Sequence, residues 1–487
     1  MHQDYHSQEY AMTDGRDHHF GIVRGPLYGY MGTKADVFMP QIHRLGVGLV
    51  RLFLFWNQVE PERDHFTWEV VDTFLEQLGP SDEAWITLHS SSLWATRQAT
   101  GFQPPSPAID PEDYERFVST LVAHCKGRVR YWQSENEPTN PLLWQGTAEE
   151  YASHLKVFSR AVKGADPDAT VVLAGAVDTF YVSPDAQSAD TQAERDFFLY
   201  LLQECAYDFD AFDIHLYGDL YAIPENINAI RQYMSAHGYE KPIFCGEYNG
   251  PSFFNFAENL PILQAIFMKM MEAPQENSLS LATQRDAITE LYEKRETLPP
   301  QTQMFMDGCA PELEQKRHRI NCREVVTRCV LALSAGVQKM LCWNLANPMV
   351  DRANLMHMLF DKYKLIAYED GMFKDLYPAA ETFRLFMNML GGFEHVRKVY
   401  VPERPTLYLF EVERLERGPL YIVWERRDTF SGEDEPAIAW SWKWPSSQAH
   451  AIDVFGNEIP IQISHGHVHL SVSLTPVFLE ENALLHA

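Results

Sequence analysis

The sequence is short of positive charge. It carries 40 lysines and arginines against 67 aspartates and glutamates, a net charge of −27 with histidine neutral. Such a balance repels nucleic-acid backbones and anionic membranes, so neither is expected as a partner. No apolar run is long enough to cross a bilayer. The opening residues, Met1-His2-Gln3-Asp4-Tyr5-His6, hold neither a basic nor an apolar segment. No export signal is legible there, and a cytoplasmic location is expected. Cysteines are few and odd in number: seven, at 125, 205, 245, 309, 322, 329 and 342. Their spacing matches no metal site, and most fall in apolar or helical patterns, so buried reduced thiols are expected. The histidine pairs His18-His19 and His465-Gly466-His467 lack the flanking ligands of a zinc motif and read as solvated loop residues. No Gly-x-Gly-x-x-Gly loop follows the first strand-like run, which weakens a nucleotide-binding reading. There is no internal repeat and no low-complexity segment. Neither a cofactor nor a metal is expected.

What is present is alternation. Short β-branched or aromatic runs start near Phe20, Gly48, Glu83, Arg128, Thr170, Ala211, Pro242 and Val337. Amphipathic stretches fill most gaps, among them 112–126, 148–162 and 193–205. Asp110-Pro111-Glu112-Asp113 opens the first of these, with acidic side chains at the positive helix end. Eight strands alternating with helices predict an α/β fold with a parallel sheet. Polar residues at several strand ends favour closure into a (β/α)8 TIM barrel, whose site gathers from many strands. The barrel is expected over 15–392, with an insertion at about 251–319 that has helical stretches at 260–271 and 287–295. Over 393–487 the pattern turns to short alternating runs at 406–412, 419–424, 437–444, 450–454 and 467–474. That predicts a C-terminal antiparallel β-sandwich domain.

Two carboxylates stand at strand ends: Glu137 in Glu135-Asn136-Glu137-Pro138, and Glu247 in Cys245-Gly246-Glu247-Tyr248. A carboxylate at the mouth of a buried strand is costly unless something uses or pairs it. Two of them, on the fourth and seventh strands of a barrel, could come within the roughly 5–5.5 Å that a retaining glycosidase needs. The aromatic content of 13% suits stacking on sugar rings, although packing is the commoner use.

The motifs in order strengthen this reading. Tyr131-Trp132-Gln133 leading into Asn136-Glu137-Pro138, and Lys241-Pro242-Ile243-Phe244-Cys245-Gly246-Glu247, resemble the fourth and seventh strands of clan A glycoside hydrolases. Val50-Arg51-Leu52 with Trp56, Glu60-Pro61 and Phe66-Thr67-Trp68 is similar to their second strand and the turn after it. Ser92-Leu93-Trp94-Ala95, Phe212-Asp213-Ile214-His215-Leu216-Tyr217 and Leu341-Cys342-Trp343 resemble regions of the third, sixth and eighth strands. Tyr377-Pro378-Ala379 opens a helix like the one that closes such barrels. The resemblance, to family 39 and family 5 enzymes above all, covers nearly the whole chain except the insertion.

The resemblance implies a retaining hydrolase of O-glycosidic, most often β-linked, bonds, acting on an oligosaccharide or small glycoside. It implies Glu137 as acid/base, Glu247 as nucleophile and Asn136 as ligand of the sugar 2-hydroxyl. Arg51 would contact Glu247, with a structural ion pair as the alternative. Tyr217 would donate to the same group, or else be a core tyrosine. Trp343 would floor the sugar site or simply pack, and Trp94 would stand beside it or pack in its loop. His89 and His215 would bind hydroxyls or be hydrogen-bonded in place. Glu247 is expected ionised and Glu137 protonated, because a second negative charge nearby disfavours its ionisation. One position departs from the pattern. Glu135 stands where similar enzymes have an aromatic or aliphatic residue. On a strand it would point the same way as Glu137, so it could bind substrate, pair with a base, face solvent or rival Glu137 as the acid. Transglycosylation, non-catalytic sugar binding and a metal-dependent barrel hydrolase remain the alternative activities. The sugar, exo or endo action and the oligomeric state are not legible.

Overall fold

The computed structural model describes residues 17–27, 37–177, 180, 189–272, 277–346, 352–369, 372–415 and 417–481. The expected barrel start at residue 15 and the last residues of the expected sandwich domain lie outside them. Eight parallel strands form one sheet: β1 (Asp17–Pro26), β2 (Val47–Phe55), β3 (Glu83–His89), β4 (Tyr131–Ser134), β5 (Thr170–Val172), β6 (Phe212–Leu216), β7 (Ile243–Tyr248) and β8 (Lys339–Trp343). Their order is β5-β4-β3-β2-β1-β8-β7-β6, and the parallel bridges Val172–Ala211 and Ala176–Ile214 join its two ends. The sheet is therefore closed.

Each strand is buried on both faces, which is why the runs read as continuously apolar. Alternation still sorts the side chains. On β2, Leu49, Phe53 and Phe55 join Val23, Trp85, Tyr131, Phe244 and Leu341 inside the barrel. Val50, Leu52 and Leu54 point outward into the large core shared with the helices. Helix Pro111–His124 starts with Asp110 as its N-cap, the carboxylate accepting from the Glu112 N–H at 2.9 Å. It packs on helix Ala148–Ala165, which Thr147 and Glu150 cap reciprocally.

The insertion builds a small core together with the segment after β8. Helices Leu260–Glu272 and Asn277–Glu293 enclose Leu263, Ile266 and Ile288 with Phe253, Phe305 and Met358. The 24-residue helix Pro311–Ser334 runs straight through residue 319 and leads into β8. Beyond helix Pro378–Leu390 lie two antiparallel sheets, one of five strands and one of three. Phe393–Val399, Gln462–Ser464 and Val477–Glu480 add strands that the sequence pattern did not single out. One face of the larger sheet, through Phe410, Ile422 and Phe478, belongs to the barrel's core; Phe386 stacks on Phe478 at 6.0 Å. Val423, Trp440, Val468 and Leu479 fill the space between the two sheets.

Two sequence readings need correction here. His18 and His19 lie on β1 rather than in a loop, and the exposed His19 ring sits edge-on to Phe393 at 5.1 Å. His467 likewise begins a strand, His467–Val472, with only His465 and Gly466 in the turn before it. All seven cysteines are free, and all but Cys309 are buried.

Candidate active site

Arg51 organises the barrel mouth. It has the inward parity of β2 and no exposed surface. A guanidinium carries five N–H donors in a fixed fork. Here Nε donates to Thr87 Oγ1 at 2.9 Å, and the two terminal nitrogens donate to Glu247 Oε1 at 2.6 Å, the Gly246 carbonyl at 3.3 Å, Gln133 Oε1 at 2.8 Å and Asn136 Oδ1 at 2.7 Å. Acceptors from β3, β4 and β7 thus converge on one cation. The guanidinium also lies 5.0 Å from the Phe53 ring and 5.3 Å from Trp85.

Alternation alone would send Glu247 to the wrong side. Phe244 points into the barrel and Cys245 out, so residue 247 should also point out. The pairing of β6 with β7 slips instead: Ile214 faces Cys245, but His215 faces Glu247. The extra residue is Gly246, and such a bulge re-aims the side chain after it. A glycine is needed at that point. A Cβ there would fall inside contact distance of the Asp213 carboxylate, which accepts from the Gly246 N–H. Glu247 is thereby turned into the mouth, where Tyr217 donates to its Oε2 at 2.9 Å.

The end of β4 uses a different device. The strand stops at Ser134, and both Glu135 (φ 64°) and Glu137 (φ 40°) adopt left-handed backbone. Non-glycine residues in that region cost on the order of 1–3 kcal/mol each. The two side chains therefore diverge, contrary to the strand-based expectation that they point the same way. Glu137 enters the mouth and meets His215 Nδ1 at 2.6 Å. Glu135 is fully buried against β3 and helix Ala148–Ala165. It lies there beside His89 and His154, away from the Glu137 carboxylate.

His215 sits between carboxylates. Its Nδ1 is 2.6 Å from Glu137 and 3.9 Å from Glu247, and its Nε2 is 3.2 Å from Asp213. Burial pushes its pKa down. The attraction of Glu247 and Asp213, with hydrogen bonds to Asp213 and Glu137, outweighs that and raises it to about 10. Glu247 lies above the ordinary carboxylate value because burial outweighs the opposing pull of His215 and Arg51. Ligand-type atoms of Glu137, His215 and Glu247 all lie within 4.8 Å of one another. The same trio could in principle ligate a metal, but the Arg51 cation already occupies Glu247 at 2.6 Å. The two glutamates keep 17% and 6% of their side-chain surface open, whereas His215 keeps none. Of the two readings left open in the sequence, hydroxyl ligand or histidine hydrogen-bonded in place, the geometry matches the second: His215 holds Glu137.

The remaining candidates divide. Trp343, half-buried at the end of β8, stacks on Phe53 at 5.8 Å and packs against the inner barrel cluster. His89 is fully buried and stacks on Phe55 at 4.7 Å, so it underlies the site instead of facing it. Trp94 is not brought to the carboxylates. It packs edge-on to Trp56 at 5.6 Å and donates to the Glu60 carbonyl at 3.0 Å. Three site residues went unassigned in the sequence: Thr87, Gln133 and Asp213. Gln133 accepts from Arg51 and donates to Asp213 at 2.8 Å, joining both ends of the network. The available signal was a polar residue at inward parity in an otherwise apolar strand, as in Thr87-x-His89 and Asp213-x-His215.

No protein-family model and no curated protein matches the sequence. Solved structures do match in three dimensions. One is a family 39 glycoside hydrolase from the gut symbiont Bacteroides cellulosilyticus WH2, with TM-score 0.64 and 13% identity, covering 96% of this chain and 81% of that one. Another is a family 39 beta-xylosidase from Caulobacter crescentus, with TM-score 0.55 and 11% identity over 98% of each chain. A third is a family 30 endoxylanase from Clostridium papyrosolvens C71, with TM-score 0.50 and 10% identity, covering 96% and 98%. The chain has the (β/α)8-barrel fold of the clan A glycoside hydrolases.

Proposed function

We propose that the protein is a retaining glycoside hydrolase that cleaves β-linked O-glycosides with Glu247 as nucleophile and Glu137 as acid/base. The observation that carries the reading is the approach of Glu137 and Glu247 to within 4.8 Å across the mouth, each with a different partner. One oxygen of each glutamate lying that close suits the retaining separation of roughly 5–5.5 Å better than the 6.5–9.5 Å of inverting enzymes.

Arg51 and Tyr217 hold the Glu247 oxygens in place for attack on the anomeric carbon. As the Glu247–carbon bond forms, the glycosidic carbon–oxygen bond breaks and Glu137 gives its proton to the departing oxygen. The carboxylate left on Glu137 faces the cationic His215 at 2.6 Å, which stabilises it until the second step. Water then loses a proton to Glu137 and its oxygen displaces Glu247, with configuration retained. Asn136 Oδ1 is taken by Arg51, so its Nδ2 is the end turned to a sugar hydroxyl. Trp343 with Phe53 beneath it provides the apolar platform for the ring. Two of the similar structures are named as a beta-xylosidase and an endoxylanase, which puts β-xylosides first among substrates to try.

The test begins with a panel of 4-nitrophenyl β-D-xyloside, glucoside, galactoside and mannoside. A 2-deoxy-2-fluoro derivative of the best sugar is then incubated with the protein. Peptide mass spectrometry is expected to find the glycosyl adduct on Glu247, and an adduct elsewhere overturns the assignment. Glu137→Ala is expected to regain activity on dinitrophenyl glycosides when azide is added.

A further inference from the structure

We propose that Glu135 is a positioning residue, a buried clamp that fixes the Asn136-Glu137 turn against β3 and so aims the acid/base at the glycosidic oxygen. This rests on the two-glutamate reading above and adds to it a role for the one position where the strand-end motif departs from its relatives.

Glu135 is tied at both of its ends. Its backbone N–H donates to the Leu88 carbonyl at 2.9 Å, and its Oε1 accepts from the Ser90 N–H at 2.8 Å. Both partners belong to the end of β3 and the residues just after it. The carboxylate is also flanked by two histidines from different elements. His154 Nε2, on helix Ala148–Ala165, lies 3.3 Å from Oε1, and His89 Nδ1, on β3, lies 3.5 Å from Oε2. These rings are themselves fixed. His154 stacks on Tyr114 at 4.0 Å, and His89 stacks on Phe55 at 4.7 Å. Burial pushes the Glu135 pKa up, but the close approach of His154 and His89 overcomes it and brings the value down to about 2. The clamp is therefore an anion at neutral pH.

The turn it holds is one that would not keep its shape unaided. Two of three consecutive residues, Glu135 and Glu137, have left-handed backbone without being glycine. Strained conformations of this kind persist only where the surroundings over-determine them. The clamp also reaches the other wall of the site. His89 lies edge-on to Phe53 at 5.5 Å, and Phe53 stacks on Trp343 at 5.8 Å. One buried carboxylate thus sets the acid/base turn and the aromatic floor in register. An aliphatic side chain could fill the same volume, but it could not accept the Ser90 N–H.

The leaving group separates positioning from mere stability. A dinitrophenyl glycoside departs without acid help, whereas a phenyl glycoside needs it. Glu135→Gln, Glu135→Leu, His154→Gln and Glu137→Ala are made in the full chain. Each is assayed with the 2,4-dinitrophenyl and the phenyl β-glycoside of the sugar preferred in the panel. With Glu135→Leu, kcat/KM on the phenyl glycoside is expected to fall about 100-fold while the dinitrophenyl value holds, as a small misplacement of a catalytic group would produce. Glu135→Gln, which keeps the shape and an acceptor for Ser90, is expected to shift the ratio of the two substrates less and in the same direction. If Glu135→Leu does not fold, Glu135→Gln and His154→Gln decide. An unchanged ratio in the folded Glu135 variants, whether both rates fall together or neither moves, overturns the clamp. Glu137→Ala supplies the control: if it too leaves the ratio unchanged, the two-glutamate reading fails, and the clamp with it.

Discussion

Among the described residues, a histidine sits between two carboxylates in two places. In the barrel mouth His215 lies between Glu137 and Glu247; beside the insertion His357, in the segment after β8, lies between Asp307, at 3.0 Å, and Asp361, at 3.9 Å. The residue types match, but the surroundings do not. Beside the insertion Lys362 pairs with Asp307, and Lys364 reaches Asp361 at 2.9 Å. The hydrogen bond from His357, joined by Lys362, holds the Asp307 carboxyl well below the usual range. Every charge there has an opposite, and Asp307 is more than a third open to water. In the mouth, Glu137, Glu247 and Asp213 share only Arg51 and His215, and little water enters. Counted as ionised, the three carboxylates would exceed the two cations by one, and the low local dielectric favours a proton on one of them. A satisfied ion-pair cluster stabilises, whereas a buried cluster with a surplus charge can move a proton.

The sharpest way to break this comparison is to neutralise a carboxylate in each place. Glu247→Gln is expected to lower kcat by about 10⁴-fold or more, whereas Asp361→Asn leaves kcat unchanged. Comparable losses in both would mean that burial and surplus charge do not distinguish the two clusters. Next in size is Arg51→Met. It leaves Glu247 without its cation, and losing one partner of a buried pair destabilises by about 3–5 kcal/mol. Urea denaturation would measure that, and a drop no larger than that of Lys364→Met would contradict the central role of Arg51.

A smaller effect concerns pH. The folded-state pKa of His215 is raised to about 10, with Glu247 the largest contributor in that direction. Its stabilising contribution is full below the ordinary value near 6.5 and is lost as pH rises through about 10. An NMR titration should show the imidazole still protonated well above neutrality, and Glu247→Gln should move its midpoint down. The smallest expected effect is that of Asp307→Asn. A partly exposed pair is worth at most about 1 kcal/mol, so thermal unfolding should shift slightly and the pH profile of turnover not at all.

Much of the barrel was legible because each strand is buried on both faces and leaves a short apolar run bounded by turns. All eight runs became strands within a few residues of where they were expected. The sheets after residue 392 were legible only in part. Val477–Glu480 lies between Leu420–Glu425 and His450–Asp453 in the five-stranded sheet yet has only four residues, too few for alternation to show. Trp94 was left between two readings because a tryptophan in a loop looks the same in sequence whether it meets a sugar or, as here, packs edge-on to Trp56. His89 was likewise left between two readings, because a place near a strand end does not say how deep a residue lies.

The amino-acid order alone determined the eight-fold alternation, the strands that carry Arg51, Glu137 and Glu247, and the acidic, thiol-poor character of the chain. These follow from local pattern, which each segment carries within itself. Only the tertiary structure decided which way the glutamates face. The bulge at Gly246 exists because β7 must pair with β6 while Asp213 presses against it. At the left-handed Glu135 the carboxylate accepts from the Ser90 N–H, just after β3, and is flanked by two histidines distant in sequence. Both directions are set by partners far away in sequence, and no local pattern contains them.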